Sequence, residues 1–495
     1  MPFLEIDHYN QPHHHHCRNM HAMDLVQQIR SWVPDLAHST LPRYQVIAQA
    51  IAEAINGGQI VTGEKLPPHR TLASALNVTV GTISRAYSQL EQEGKVIPRI
   101  GDGTYVQARF LPQSMPATES VQRNTDSDLI DLGQNVILAL GQEAALAKTL
   151  QDISQDDIAR QRVLDYQPES GHSLHRALAG RWLTQFHLSG EADRVAITNG
   201  AQHALACLCR ILTSPGDTIL CEALSYPGIV ALAHQMRLQL ISVEIDSEGI
   251  VPEALEQACK SFHSRLLFCV PTLHNPTTAT MRETRRRQIC DIARRHHLNI
   301  IEDAVPAPLL REQPSSLASL LPEQVFFVTG FSKSVAAGLR VGFIQAPQAW
   351  SGKLAAVLRA NCWMATPLAA EVVCRWIEDG TMHALLDQQR QAVAERQQLV
   401  ERIFEGLSYA THPEGNHIWL NLPAPWRTSE FTTMLRKKGV VVKPSDAFAV
   451  GRTPAPHAVR ICLSGEPQLD KLAHGLRTIA LTLKEGPGAY WMATA

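Results

Sequence analysis

The chain has 495 residues, 45% of them hydrophobic and 19% charged, the balance of a folded protein of two or more domains rather than of a disordered chain. The net charge of −2 advertises no nucleic-acid partner, and no apolar run reaches the roughly eighteen residues of a transmembrane helix. Ten cysteines lie singly in apolar stretches, and Cys207 and Cys209 point to different faces of one helix. That pattern predicts reduced core thiols in a cytoplasmic protein and no metal site. Residues 1–40, with their run His13–His16 and no apolar leader, are set aside as an N-terminal extension outside the folded parts.

Residues 41–108 read as three helices and a hairpin. Val46, Ile47, Ala50, Ile51, Ala54 and Ile55 form the apolar stripe of the first helix, which Gly57-Gly58 ends. The second follows Leu66-Pro67-Pro68 and turns Leu72, Ala73 and Leu76 inward. Thr79 is an N-cap for the third, where Val80, Ile83, Tyr87 and Leu90 recur at helical spacing while Thr82, Ser84, Arg85, Ser88 and Gln89 occupy the other face. Gly101-Asp102-Gly103 then marks a tight turn between two short strands.

Three helices and a hairpin are the order of a winged helix-turn-helix, although a small helical adaptor with a solvated third helix fits the pattern equally well. The local charge, six basic against five acidic side chains, does not decide between them. The stretch LPPHRTLASALNVTVGTISRAYSQLEQEGKVIPRIGDGTYV resembles the DNA-binding domain of the GntR family nearly throughout. The resemblance implies a double-stranded DNA operator as partner, with the third helix in the major groove and the wing on the backbone or in the minor groove. It puts Arg70 and Arg85 at DNA-contacting positions, and Thr79, Thr82 and Lys95 beside them.

Residues 109–128, rich in Ser, Thr, Pro and Gln without periodicity, read as a linker. From 129 to 495 short apolar runs alternate with helical stretches. Strands are expected at 195–198, 218–221, 239–245, 266–270, 299–302, 325–329 and 341–345, and a helix at 283–296. Buried runs alternating with helices predict an α/β fold with a mostly parallel sheet, whose site gathers at the carboxyl ends of the strands.

The polar residues expected beyond those ends each have an ordinary structural explanation. Asn199, Gly200, Ala201 and Gln202 open a helix whose N–H groups and dipole suit a phosphate, but a glycine at such a junction is also plain geometry. Tyr226 can stack on a planar ring or simply pack. Asn275 can donate to a phenolic oxygen or form an Asx-turn before Pro276. Asp303 ends the buried run NIIED and needs a partner such as a protonated ring nitrogen. Lys333 can form a Schiff base, and Arg340 lies seven residues on, available for a phosphate.

In this order the set resembles the fold-type I aminotransferase domain, over about 131–464. The upstream LDYQPESGHSLHRALAGRWL is similar to that family's Tyr-x-x-x-x-Gly-x-x-x-Leu-Arg segment. The resemblance implies pyridoxal 5′-phosphate as cofactor, linked to Lys333, and Arg460 as the grip for a ligand carboxylate. A GntR-like reader joined to such a domain is the architecture of the MocR family of transcriptional regulators. That resemblance implies a homodimer that senses a small amino compound or a B6 vitamer.

Three departures stand out. The family's tyrosine two or three residues after the aspartate is absent, since Ala304, Val305 and Pro306 follow Asp303; the phosphate-binding hydroxyl three residues before the lysine is Gly330; and Asn-Pro-Thr-Gly reads Asn275-Pro276-Thr277-Thr278. They put turnover in doubt more than binding. The alternative is an active aminotransferase with an appended DNA-binding domain.

Overall fold

In the small unit, α1 (Arg43–Asn56), α2 (His69–Ala75) and α3 (Val80–Gln92) precede a two-stranded antiparallel wing, β1 (Val96–Arg99) and β2 (Gly103–Val106), in which Arg99 faces Gly103. The core is the predicted stripe: Ile47 and Ile51 of α1, Leu72 of α2, and Ile83, Ala86, Tyr87 and Leu90 of α3 are buried together. The Tyr87 hydroxyl donates to Pro67 O at 2.8 Å, tying α3 to the start of α2. Val80 departs from the expected stripe: the first turn of α3 runs past the packed core and leaves this side chain exposed.

The computed structural model describes residue 29 and residues 42–56, 59–60, 64–92, 95–99, 103–106, 129–451 and 454–487. Gly57-Gly58, Gly101, Asp102, the linker 109–128 and nearly all of 1–40 therefore lie outside the described residues. By internal contacts the chain divides into residues 1–120 and 121–495.

The large unit begins with β3 (Ile130–Asp131). Its main sheet draws on β4 (Val195–Thr198), β5 (Thr218–Glu222) and β6 (Gln239–Val243), passes the small hairpin β7 (Ile245–Asp246) and β8 (Gly249–Ile250), and continues with β9 (Leu266–Cys269), β10 (Asn299–Asp303), β11 (Val325–Gly330) and β12 (Gly342–Gln345). The seven strands lie in the order β4-β12-β11-β10-β9-β5-β6, and only β12 runs against the rest. Adjacent residues feed opposite layers: Phe327 and Ile300 pack on one side of the sheet, Phe326 and Ile301 on the other. Burial on both faces is why these strands read as unbroken apolar runs.

The run expected as one strand over 239–245 is two elements, because β6 stops at Val243 and Ile245 starts the hairpin. The strand expected from 341 begins at Gly342, after the positive φ of Arg340 has turned the chain. A second, antiparallel sheet, β13 (Tyr409–Ala410), β14 (His417–Asn421), β16 (Lys443–Pro444) and β17 (Ala458–Cys462), stands in the order β13-β14-β17-β16. β15 (Val440–Val441) pairs in parallel with β3. Among the described residues no helix is long and apolar enough to cross a membrane.

Candidate functional site

The parallel strands deliver their following residues to one edge of the sheet. After β4, Gly200 takes φ 82° and ψ 167° and starts the helix Ala201–Leu212. Its first internal bond from the turn is Ala204 N to Gly200 O, so the amides of Ala201, Gln202 and His203 precede the ladder. A Cβ at Gly200 would lie 2.6 Å from the Arg340 guanidinium, so only glycine lets that cation stand over the helix start. Arg340 donates to Ser332 Oγ at 3.0 Å. Gln202 donates to Gly228 O, and its buried Oε1 has no partner. Asn199 faces elsewhere: its Oδ1 accepts from Thr366 N at 2.9 Å and its Nδ2 approaches Cys362 Sγ.

Asp303, at the end of β10, is buried and accepts one hydrogen bond, from Val305 N at 3.0 Å. Burial raises its pKa to about 6, against the lowering pull of that amide and of Lys333. The Tyr226 phenol is pushed up by burial, then by the Asp303 charge, with Arg340 opposing. Lys333, three residues past β11, has its amine lowered to about 8 by burial and by the positive charges of Arg460 and Arg340, with Cys462 and Asp303 opposing. Its Nζ donates to Asn135 O.

Arg460, in β17, is buried over the Phe448 ring, donating 2.8 Å bonds to Asn275 Oδ1 and Gly133 O while its Nε lacks a partner. Asn275 sits on the loop after β9, and Arg286 braces both ends of that loop: it donates to Pro271 O, Thr272 Oγ1 and Met281 O at 2.9, 2.7 and 2.9 Å. Thr278 holds φ 65°, the conformation in which the similar family motif has glycine, and its amide donates to His274 O. At Gly330 a Cβ would lie 3.1 Å from Val341 O and 3.8 Å from Ala201 N, so a hydroxyl there would point toward the helix start. Thr329 does not replace it, because its Oγ1 donates to Ala304 O; Ser332, bonded to Arg340, is on the correct side.

The site therefore brings together Lys333, Asp303, Tyr226, Asn275, Arg460, Arg340 and the turn at Gly200–Gln202. It also draws on residues outside the expected set. Glu222 ends β5 fully buried, accepting from Val270 N at 2.6 Å and Ser225 Oγ at 3.3 Å, and burial lifts its pKa to about 8. His274 Nε2 lies 3.9 Å from it, unpartnered, with a pKa lowered to about 4 by burial. Both are neutral near pH 7, so the contact is no ion pair there. The run TILCE carried the same signal as NIIED, a buried strand ending in a carboxylate. Gly133 and Asn135 carried no local signal, because they lie about two hundred residues or more from their partners.

In the small unit, Arg70 is exposed in the first turn of α2, and Arg85 is exposed on the side of α3 opposite Ile83 and Leu90. Thr82 and Lys95 are half-buried. Thr79 caps α3: its Oγ1 accepts from Thr82 N at 3.2 Å and lies 2.9 Å from Thr82 Oγ1, so these two hydroxyls bond locally. No group of three or more His, Cys, Asp or Glu among the described residues is placed to hold a metal ion.

Residues 127–476 match the family model for aminotransferase class I and II, and residues 43–106 match that for bacterial regulatory proteins of the gntR family. The HTH-type transcriptional regulator YdeF of Bacillus subtilis is 29% identical over 92% of this chain and 97% of its own. The vitamin B6 salvage pathway transcriptional repressor PtsJ of Salmonella typhimurium is 27% identical over 84% of this chain and 93% of its own. Among solved structures, a kynurenine aminotransferase of Pyrococcus horikoshii in complex with PMP superposes with a TM-score of 0.67 at 23% identity, covering 73% of this chain and 92% of that one.

Proposed function

Since the chain belongs to the aminotransferase class I and II family and carries a GntR-type DNA-binding domain ahead of that fold, as MocR regulators do, we propose that it is a DNA-binding transcriptional regulator whose large unit holds pyridoxal 5′-phosphate and responds to a small amino compound or a vitamer. The observation that carries the reading is one constellation: an amine with a lowered pKa, a buried carboxylate with a single donor, and a guanidinium over an open helix start. These fit the cofactor's aldehyde, ring nitrogen and phosphate in turn. When bound, the cofactor supplies an electron sink and a carbonyl for amines.

The chain's own residues do the rest. Asp303 holds a proton on the ring nitrogen, and Tyr226 covers the ring. The amides of Ala201 and Gln202, with Arg340 and Ser332, hold the phosphate; Asn199 supports the turn from outside by bonding Thr366. Arg460 selects ligands that carry a carboxylate, and Asn275 orients its guanidinium. The name of the Salmonella relative supports a vitamer as ligand. Arg70 and Arg85 would read the operator, with Thr79 and Thr82 shaping the start of α3 and Lys95 leading into the wing.

Purified protein with added pyridoxal phosphate should show the visible absorbance of a lysine-linked cofactor, and Lys333→Ala should abolish it. A wild type that stays colourless overturns the reading. A titration of the coloured protein with amino acids and vitamers then identifies the ligand class. The intact Lys333, Asp303, Asn275 and Arg460 also support a second reading, a working aminotransferase. Half-transamination of an amino acid at a catalytic rate, lost in Lys333→Ala, would establish it.

A further inference from the structure

The chain enters the large unit through β3, and Leu132 is then fixed between β15 and β17: its amide donates to Val441 O and its carbonyl accepts from Cys462 N, each at 2.8 Å. The next residues turn to the site. Gly133 O takes the bond from Arg460, and Asn135 O takes the bond from Lys333. The Asn135 side chain is anchored separately, its Oδ1 accepting from Asn416 Nδ2 at 2.9 Å, while Ser464 Oγ donates to Val136 O. Gly133 N also donates locally to Asp131 Oδ1 at 2.8 Å; of the four long-range tethers on residues 133–136, two come from the two groups that an amino-acid-like ligand would occupy. In sequence this segment follows almost at once on the residues that join the two units.

We propose that residues 133–136 report the chemical state of the site to the chain leading to the DNA-binding unit, with Asn135 as the positioning residue that sets Lys333 and the segment against each other. The proposal rests on the cofactor reading above. Condensation of the Lys333 amine with the aldehyde of pyridoxal phosphate forms a C=N bond, releases the carbonyl oxygen as water, and consumes the N–H hydrogens that Asn135 O accepts. A carboxylate that accepts from Arg460 competes with Gly133 O for that donor. Of its long-range tethers the segment then keeps those through Asn416 and Ser464, beside the local bond from Gly133 N to Asp131 Oδ1. Each ligand thereby favours one placement of the segment over another, which is the differential interaction that coupling requires.

The test uses the full-length protein and a DNA site selected by the wild type from random sequence, with pyridoxal phosphate as the probe. Operator affinity is measured with and without the probe, scored on the fraction of protein that shows the chromophore. Wild type should change affinity by about tenfold, in the usual range of coupling. Asn135→Ala and Asn416→Ala each remove the Asn135–Asn416 anchor of the segment and should reduce the change to less than about twofold. Asn135→Asp, which keeps an acceptor for Asn416 Nδ2, should restore it, as a merely structural loss would not predict. A wild-type-sized change in both alanine variants overturns the proposal. So does a coloured wild type whose operator affinity ignores the probe. A colourless wild type removes the cofactor reading and this proposal together.

Discussion

Asp303 is placed for a partner that the polypeptide does not supply. Its carboxyl pKa is raised from 3.8 to about 6, chiefly by burial. A raised carboxylate pKa means that the folded state holds the proton more tightly than the unfolded chain. The cofactor-free protein therefore loses stability from this group as pH climbs from about 4 through about 6, by something on the order of 3 kcal/mol. Asp303→Asn keeps an acceptor for Val305 N and removes the charge. Urea denaturation of the cofactor-free protein should show the variant more stable than wild type at pH 7.5 and level with it near pH 4, while its grip on the cofactor weakens. Parallel pH curves for the two proteins would contradict the assignment. Thr278 is the converse case, a β-branched residue at φ 65°. Left-handed backbone costs a non-glycine residue about 1–2 kcal/mol, partly offset by the entropy glycine loses on folding. Thr278→Gly should thus leave thermal stability unchanged or raise it by up to about 1 kcal/mol. A clear drop would show that the threonine side chain earns its place by packing.

The loop after β9 carries Asn275 into the site, and one buried cation braces both of its ends. Arg286 bonds both ends of the loop and lies 3.7 Å from Glu302 Oε1, which sits on β10 beside Asp303. Loop and strand are thereby fixed to one another. Arg286→Ala would take the buried ion-pair partner from Glu302 and one donor from each of three loop acceptors, a change of the kind that costs about 3–5 kcal/mol. Thermal unfolding should fall accordingly, and cofactor binding should fall with it; near-native stability would refute the brace. This dependence also marks how far the sequence could be read. The strands β4, β5, β9, β10 and β11 were legible to within a residue or two because burial on both faces makes each an apolar run, and Lys333, Asp303 and Asn275 were legible because they follow those runs. Arg286 was hidden in a helix whose arginines look alike in sequence, although only tertiary packing makes this one buried. Gly133 and Asn135 were hidden by distance along the chain, and Val80 misled because a helical period does not say where the covering core ends.

Over the whole molecule, net charge is the property that says least about DNA and most about how DNA should be bound. The sum of −2 and a small unit that is nearly balanced leave few cations to neutralise phosphates. Even if Arg43, Lys65, Arg70, Arg85, Lys95 and Arg99 all met the backbone, counterion release would give a slope of log affinity on log salt no steeper than about −5 per reading unit. Specific affinity must then come from a few placed contacts, of which Arg85 on the exposed side of α3 is the first. Binding to the selected operator, measured by fluorescence anisotropy over a salt series, should show that shallow slope. Arg85→Ala should lower specific affinity by about 1–3 kcal/mol while leaving binding to unrelated DNA nearly unchanged. If Arg85 instead serves a phosphate, its removal should weaken binding to every sequence alike and flatten the slope by about one unit. That pattern would move the base-reading role to another residue of α3. A steep slope in the wild type would mean that cations beyond these six also meet the DNA.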